Sequence, residues 1–315
     1  MNVTLALKER FCKDLQLPIK IFQEPYFTER LKLYDKHFHC MDKYEEFLKM
    51  LEDFEDEQAY FMAYNSLKET VIQYLSTNED FDYFSKKEDM SKYDKKHLGF
   101  PKTNIYKESF IGKHFVSFDL CKGNFTALYH YSPNIFEGKD TYEEFIGQFT
   151  TNKHFIESKY IRQVIFGALN PKRQVKYEEY LMDKVMSELL KVFSPEKIVY
   201  FSTDEIVVEI DPIDSDSPEY TFIAETVNKF IKQNITIRAD VFQLSKVEEY
   251  DAYIKNIYAK FFKSNGDRLN NSEFKVIKNA NNLTMPFVLR KIYNLPPDDN
   301  DNVFMHEGRL AKFIT

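Results

Sequence analysis

Two acids, Asp119 and Asp204, are the side chains through which this 315-residue chain could do chemistry on a phosphate. Each ends or interrupts an apolar, strand-like run. The first run is Phe115-Val116-Ser117-Phe118-Asp119-Leu120. The second is Ile198-Val199-Tyr200-Phe201-Ser202-Thr203-Asp204-Glu205, continued by Ile206-Val207-Val208-Glu209-Ile210. Two carboxylates brought together can hold a pair of Mg²⁺ (or Mn²⁺) ions, hard cations that prefer oxygen ligands and substrate phosphates. One ion would activate an attacking hydroxyl, the other would stabilise a leaving pyrophosphate. Phosphoryl transfer asks for little else beyond positioning and positive charge at the phosphates. Lys159 and Arg162, on one face of a helical pattern, can supply that charge. Gln163 and Phe166 share the face and stand as substrate contacts or as packing.

For these acids to meet, the elements around them must form one sheet. The pattern predicts a strand over 114–120, then a turn and a short helix through 132. A helix start follows at 140–145 with Asp140 or Thr141 as cap. A helix over 158–169 is ended or kinked by Pro171, and a further amphipathic helix spans 175–193. A hairpin (197–203 and 206–211), a helix (220–233) and a strand (235–243) come next. The order is strand, helices, strand, strand, helix, strand. It predicts an α+β fold of split βαβ type, an antiparallel sheet backed by helices. The first strand and the hairpin then lie side by side at the sheet centre. Residues 1–108 read as a helical N-terminal layer, with a loop or linker from Ser85 to Lys107. Beyond the sheet, 250–262 reads as helical, 273–278 as a short strand and 286–293 as helical. An acidic loop lies at 298–301, and 303–313 reads as a last hairpin.

Composition narrows the function classes. With 43% hydrophobic and 30% charged residues the chain is an ordinary globular one. Only 8 glycines occur, and no phosphate-binding loop or dinucleotide fingerprint is present. The net charge of −7 argues against extensive non-specific nucleic-acid binding but leaves room for a local basic channel. Basic residues do cluster, at Lys86-Lys87, Lys92, Lys95-Lys96, Lys102, Lys107 and Lys113, and at Lys159, Arg162, Lys172, Arg173 and Lys176. A solvated face explains the first group equally well. Cys12, Cys40 and Cys121 have no metal or redox spacing, and their odd number argues against a disulfide framework. Neither a signal peptide nor a membrane helix is evident, so a cytoplasmic protein is expected, in host cytoplasm if viral. A Lys/Asn/Phe/Tyr-rich, Gly-poor composition suits an AT-rich genome.

At the candidate residues the chain resembles the palm of nucleic-acid polymerases, most closely family A. Ser117-Phe118-Asp119-Leu120 through Ala127-Leu128-Tyr129-His130-Tyr131-Ser132 is similar to that family's motif A, with its metal-binding Asp. Arg162-Gln163-Val164-Ile165-Phe166-Gly167 is similar to motif B, with Arg162 at the nucleotide-binding Lys. Ser202-Thr203-Asp204-Glu205-Ile206-Val207-Val208-Glu209 resembles the motif C hairpin and implies catalytic roles for Asp204 and Glu205. The resemblance covers about 115–245. It implies a compact nucleotidyltransferase that adds nucleotides from a nucleoside triphosphate to a DNA or RNA primer, as part of a replication or transcription assembly. Residues 1–108 would be a thumb-like region, 109–248 the palm and 249–315 an α/β extension packed on it. The sequence also departs from the family. Asn124, a candidate substrate contact, replaces the Glu that helps exclude ribonucleotides, which leaves sugar choice and an RNA-polymerase or reverse-transcriptase-like reading open. Ser158, Asn170, Pro171 and Thr203 replace motif residues, and the stretch from Arg162 to Asp204 is too short for the large fingers insertion.

Each feature also has a plain structural explanation. Asp119 can cap the following helix, Asp204-Glu205 can be a polar turn, and Arg162 can bridge a surface carboxylate. The group Asp35, His37, His39 and Cys40 has ligand-capable side chains but no zinc spacing, and reads as structural. His306-Glu307-Gly308-Arg309 reads as a surface turn. A retained palm scaffold with reduced catalysis, acting in binding or assembly, is the alternative to the enzyme.

Overall fold

The computed structural model describes residues 3–262 and 274–313. The N-terminal layer is helical, as expected: α1 (Leu5–Leu15), α2 (Tyr26–Phe38), α3 (Met41–Leu51), α4 (Glu57–Thr77) and α5 (Glu79–Lys86). Side-chain caps fix several starts. The backbone N–H of Ala59 donates to Asp56 Oδ1 at 2.8 Å ahead of α4, and that of Phe81 to Asn78 Oδ1 at 3.0 Å ahead of α5. The group around His37 is structural: Asp35 Oδ1 accepts from the Met41 N–H at 2.8 Å, and Cys40 is buried.

The strand β1 (His114–Leu120) follows, then α6 (Gly123–Tyr131), α7 (Tyr142–Ile146), α8 (Lys153–Glu157), α9 (Lys159–Gly167) and α10 (Pro171–Leu189). Thr141 caps α7 through the Glu144 N–H at 3.1 Å. Pro171 does not kink the preceding helix. It opens α10, where its missing N–H costs nothing, and Asn170 turns the chain with φ 49°. The hairpin is β2 (Ile198–Phe201) and β3 (Glu205–Ile210), and α11 (Pro218–Ile231) leads to β4 (Ile237–Val247).

Residues 250–262, expected to be helical, instead form β5 (Ala252–Phe261), paired antiparallel to β4 along its length. Tyr253 and Ile257 bury on one face of the sheet, Ala252, Ile254, Ala259 and Phe261 on the other. Burial on both faces erases the alternation by which a strand is recognised. Next come β6 (Phe274–Lys278), α12 (Met285–Ile292) and the hairpin of β7 (Val303–His306) and β8 (Arg309–Lys312). Position 273, the start of the expected strand, lies outside the described residues. The turn between β7 and β8 has φ 47° at Glu307 and φ 76° at Gly308, left-handed values suited to a tight hairpin.

The main sheet has strand order β2-β3-β1-β4-β5-β6, with every neighbouring pair antiparallel. Its first four strands and the helices between them form the split βαβ arrangement, with β1 in the middle. Val116, Phe118 and Leu120 point into the large core beneath the helices. Phe115 points to the opposite face, where it joins Val207, Phe242, Leu244, Tyr253 and Ile257. The chain just before β1 covers this second cluster with Ile105, Tyr106 and Phe110. Toward the far end of β1 the apolar cover stops and charged residues take over.

Two half-buried histidines make stability pH-dependent. His130 on α6 shares a hydrogen bond with the Tyr177 hydroxyl of α10 at 2.9 Å, and His37 shares one with Tyr293 at 3.0 Å. Burial, helped by Lys184 and His39 respectively, pushes both imidazoles down to about 4. Near pH 5 the unfolded chain therefore takes up protons that the folded chain refuses. Stability present above the ordinary histidine value of about 6.5 is lost as pH falls toward 4, by roughly 1 kcal/mol per histidine at pH 5. Urea midpoints at pH 7 and pH 5 check this: His130→Gln should shrink the difference between them, and an unchanged difference would refute the assignment.

Candidate active site

The sheet brings the two sequence-separated acids to one place. Asp119 sits opposite Glu205 of β3 on one side and opposite Arg238 of β4 on the other. Register partners share a sheet face, so all three side chains lie on the face away from the helices. Asp204 occupies the turn just before β3. The Leu120 N–H donates to its carbonyl at 2.8 Å, which locks the turn to the end of β1. The Asp204 carboxylate is exposed and accepts from Ser202 Oγ at 3.1 Å.

Charge at this end of the sheet is dense. Burial raises the Asp119 carboxyl to about 6; Arg238 opposes the rise, while Glu205, Asp204 and Asp240 add to it. Arg238 Nη2 lies 3.3 Å from Asp119 Oδ2, and its Nε 3.5 Å from Asp240 Oδ2. Asp240 Oδ1 is buried without a hydrogen-bond partner among the described residues. Burial alone would raise Glu205, yet the charge and hydrogen bond of Lys255, whose Nζ is 2.9 Å from Oε1, leave it lowered. Lys278 lies within electrostatic reach of Glu205 and Asp119.

A further carboxylate arrives from α10. Glu178 Oε1 accepts from Asn124 Nδ2 at 2.9 Å, and burial followed by Asp204 raises its carboxyl to about 7. A methyl group added at Gly123 would lie 3.2 Å from the Glu178 carboxyl carbon, so any side chain there would press on Glu178. The sequence reading missed Glu178, although the signal was there: it stands among Tyr177, Leu181, Met182 and Val185 on the buried stripe of an amphipathic helix. It also missed Arg238 and Asp240, which alternate with apolar residues along β4. Lys255 was hidden by the helical reading of its strand.

The expected phosphate contacts separate. Lys159 opens α9; burial and Arg162 lower its ammonium while Asp119 raises it, which puts Lys159 within charge range of that acid. Arg162 lies over the Tyr142 ring at 5.7 Å. Gln163 turns instead to α1, where its Oε1 accepts from Gln16 Nε2 at 3.3 Å. Phe166 does not present its ring to a ligand. It is buried between Phe136 and Tyr142, at centroid distances of 6.3 and 6.2 Å, because the core-facing stripe of α9 is Ile161, Ile165 and Phe166. Val164 and Ala168, expected on that stripe, are half-buried and exposed.

The carboxylates offer oxygen donors, which suit a hard divalent cation, with the free thiol of Cys121 close by at 3.9 Å from the Asp119 carbonyl oxygen. The orphaned Asp240 Oδ1 beside Asp119, with exposed Asp204 at the same edge, fits such an ion. Among the described residues no group of three His, Cys, Asp or Glu side chains is closely enough gathered to hold a metal as it stands. Asp119, Asp204 and Asp240 would have to draw together around it. No helix of the described residues is long and apolar enough to cross a membrane. No protein-family model matches the chain, and no curated protein or solved structure matches it either.

Proposed function

We propose that this chain is a metal-dependent nucleotidyltransferase, a compact palm-type polymerase that joins nucleotides to the end of a DNA or RNA primer. The observation that carries the reading is the register of β1. It places Asp119 directly beside the hairpin bearing Asp204 and Glu205, on the sheet face that the helices leave open. A bound divalent cation would supply Lewis-acid charge at the reacting phosphate. The chain's own residues do the rest. Asp119 and Asp204 hold the ion, with Mg²⁺ or Mn²⁺ as the fitting metals. Lys159 and Arg162 neutralise the triphosphate, and Glu178 fixes the side chain of Asn124 at the mouth of the site. A cavity of about 750 Å³ between α3 and the segment around His154 has Lys159 in its wall, but none of Asp119, Asp204, Glu205 or Glu178 lines it.

The reading is tested by incorporation of labelled nucleotide onto a primer with Mg²⁺ or Mn²⁺. Wild-type protein should extend the primer and Asp204→Asn should not; equal extension by both would reject it. Lys159→Gln should raise KM for the triphosphate about tenfold with kcat little changed, the signature of lost ground-state phosphate contact. One observation favours a second reading, a palm scaffold with reduced catalysis: Asp119 and Glu205 already carry protein cations. No metal-dependent incorporation by wild-type protein, alone or with partners, would favour that scaffold.

A further inference from the structure

We propose that Lys255 stands in for the second cation, so that the site takes one divalent metal ion where a palm polymerase is expected to take two. The inference rests on the nucleotidyltransferase reading and concerns the charge at Glu205. Asp119 and Glu205 face each other across β1 and β3, yet the cations that hold them differ in kind. Arg238 is 50% exposed and makes one contact of 3.3 Å to Asp119, so it can swing toward solvent or toward a phosphate. Lys255 is 7% exposed and donates to Glu205 Oε1 at 2.9 Å. Its ammonium lies over the Phe242 ring at 4.7 Å, and its strand is paired on both sides, through Leu244 and Val276.

Glu205 is therefore committed to the protein. A divalent ion at this carboxylate would have to sit beside a buried ammonium that has nowhere to go, with Lys278 close by. The acids left for an ion are Asp119, once Arg238 moves, exposed Asp204, and the unpartnered oxygen of Asp240. One divalent ion matches that set. Lys255 then keeps a fixed positive charge at Glu205, within the same sheet face and without a metal.

Mn²⁺ titration of the full chain, followed by the free-ion EPR signal, tests this. Wild-type protein should bind one Mn²⁺ per chain. Asp119→Asn should weaken that binding at least tenfold, whereas Glu205→Gln should leave stoichiometry unchanged and affinity within about threefold, as for a residue outside the ligand shell. Lys255→Gln should free Glu205 and admit a second ion. If that variant does not fold, as judged by circular dichroism, Glu205→Gln carries the test. Two ions on the wild-type chain, or a tenfold loss of affinity in Glu205→Gln, would overturn the one-ion site and leave the proposed activity standing. No saturable Mn²⁺ binding by wild-type protein, with or without a non-hydrolysable triphosphate, would overturn both.

Discussion

Asp119→Asn should bring nucleotide incorporation down to the level of a metal-free control, a loss on the order of 10³-fold or more in kcat/KM. The substitution keeps the size and shape of the side chain, removes the charge and exchanges one acceptor oxygen for an amide donor. That charge is what a divalent cation needs. It is also what the environment makes costly, since Asp119 is buried and then crowded by Glu205, Asp204 and Asp240. The same crowding makes the substitution cheap for the fold. Arg238 is half-exposed and retains Asp240 at 3.5 Å, so no buried cation is orphaned. Stability should change by less than about 1 kcal/mol. Single-turnover incorporation and a thermal melt on the same preparation separate the two effects. Activity within tenfold of wild type would remove Asp119 from the chemistry.

Asp14→Ala should be the costly substitution for the fold, at about 3–5 kcal/mol. Asp14 is buried on α1 and accepts three hydrogen bonds. These come from Ser158 Oγ at 2.8 Å, Tyr64 Oη at 3.1 Å and, with His154 protonated at that nitrogen, from Nε2 at 3.0 Å. Alanine would strand all three donors in the interior. Arg10 reinforces the hub from above, over the rings of Tyr64 at 4.9 Å and Tyr160 at 4.5 Å. The effect should reach the candidate site as well, because the Ser158 hydroxyl also accepts from the Ile161 N–H at 3.1 Å and so caps the helix that begins with Lys159. Asp14→Ala should therefore lower the urea midpoint and raise KM for the triphosphate together. Asp14→Asn, which keeps an acceptor, should do less of both. A fall in stability with KM unmoved would show that the N-terminal layer does not position Lys159.

The hub also explains what was legible in the sequence and what was not. Asp119 and the Asp204 hairpin stand out because their strands pair polar punctuation with long apolar runs, and the order of elements fixes which strands are neighbours. Which acid faces which is a matter of register, and there the partner of Asp119 is Glu205, with Asp204 in the turn. Side chains that reach the site from elsewhere leave fainter marks. Glu178 is a single carboxylate on a buried helical stripe, and Lys255 lies on a strand whose two buried faces imitate a helix. Phe166 is the reverse case. Its place in a motif-like string admits a ligand contact, but the packing role open to it from its pattern is the one the fold shows, since large aromatics on a helix bury in the core. Asp14, distant in sequence from everything it binds, carries no local signal at all.

The central claim is that the end of β1 and the β2–β3 turn grip a cation together. A crystal of the wild-type chain soaked with Mn²⁺ and a non-hydrolysable nucleoside triphosphate tests it most directly. The expected result is an anomalous peak bridging the carboxylates of Asp119 and Asp204, with Arg238 turned away from Asp119 and the phosphates against Lys159. A peak elsewhere, or none with Arg238 still seated on Asp119, would contradict it.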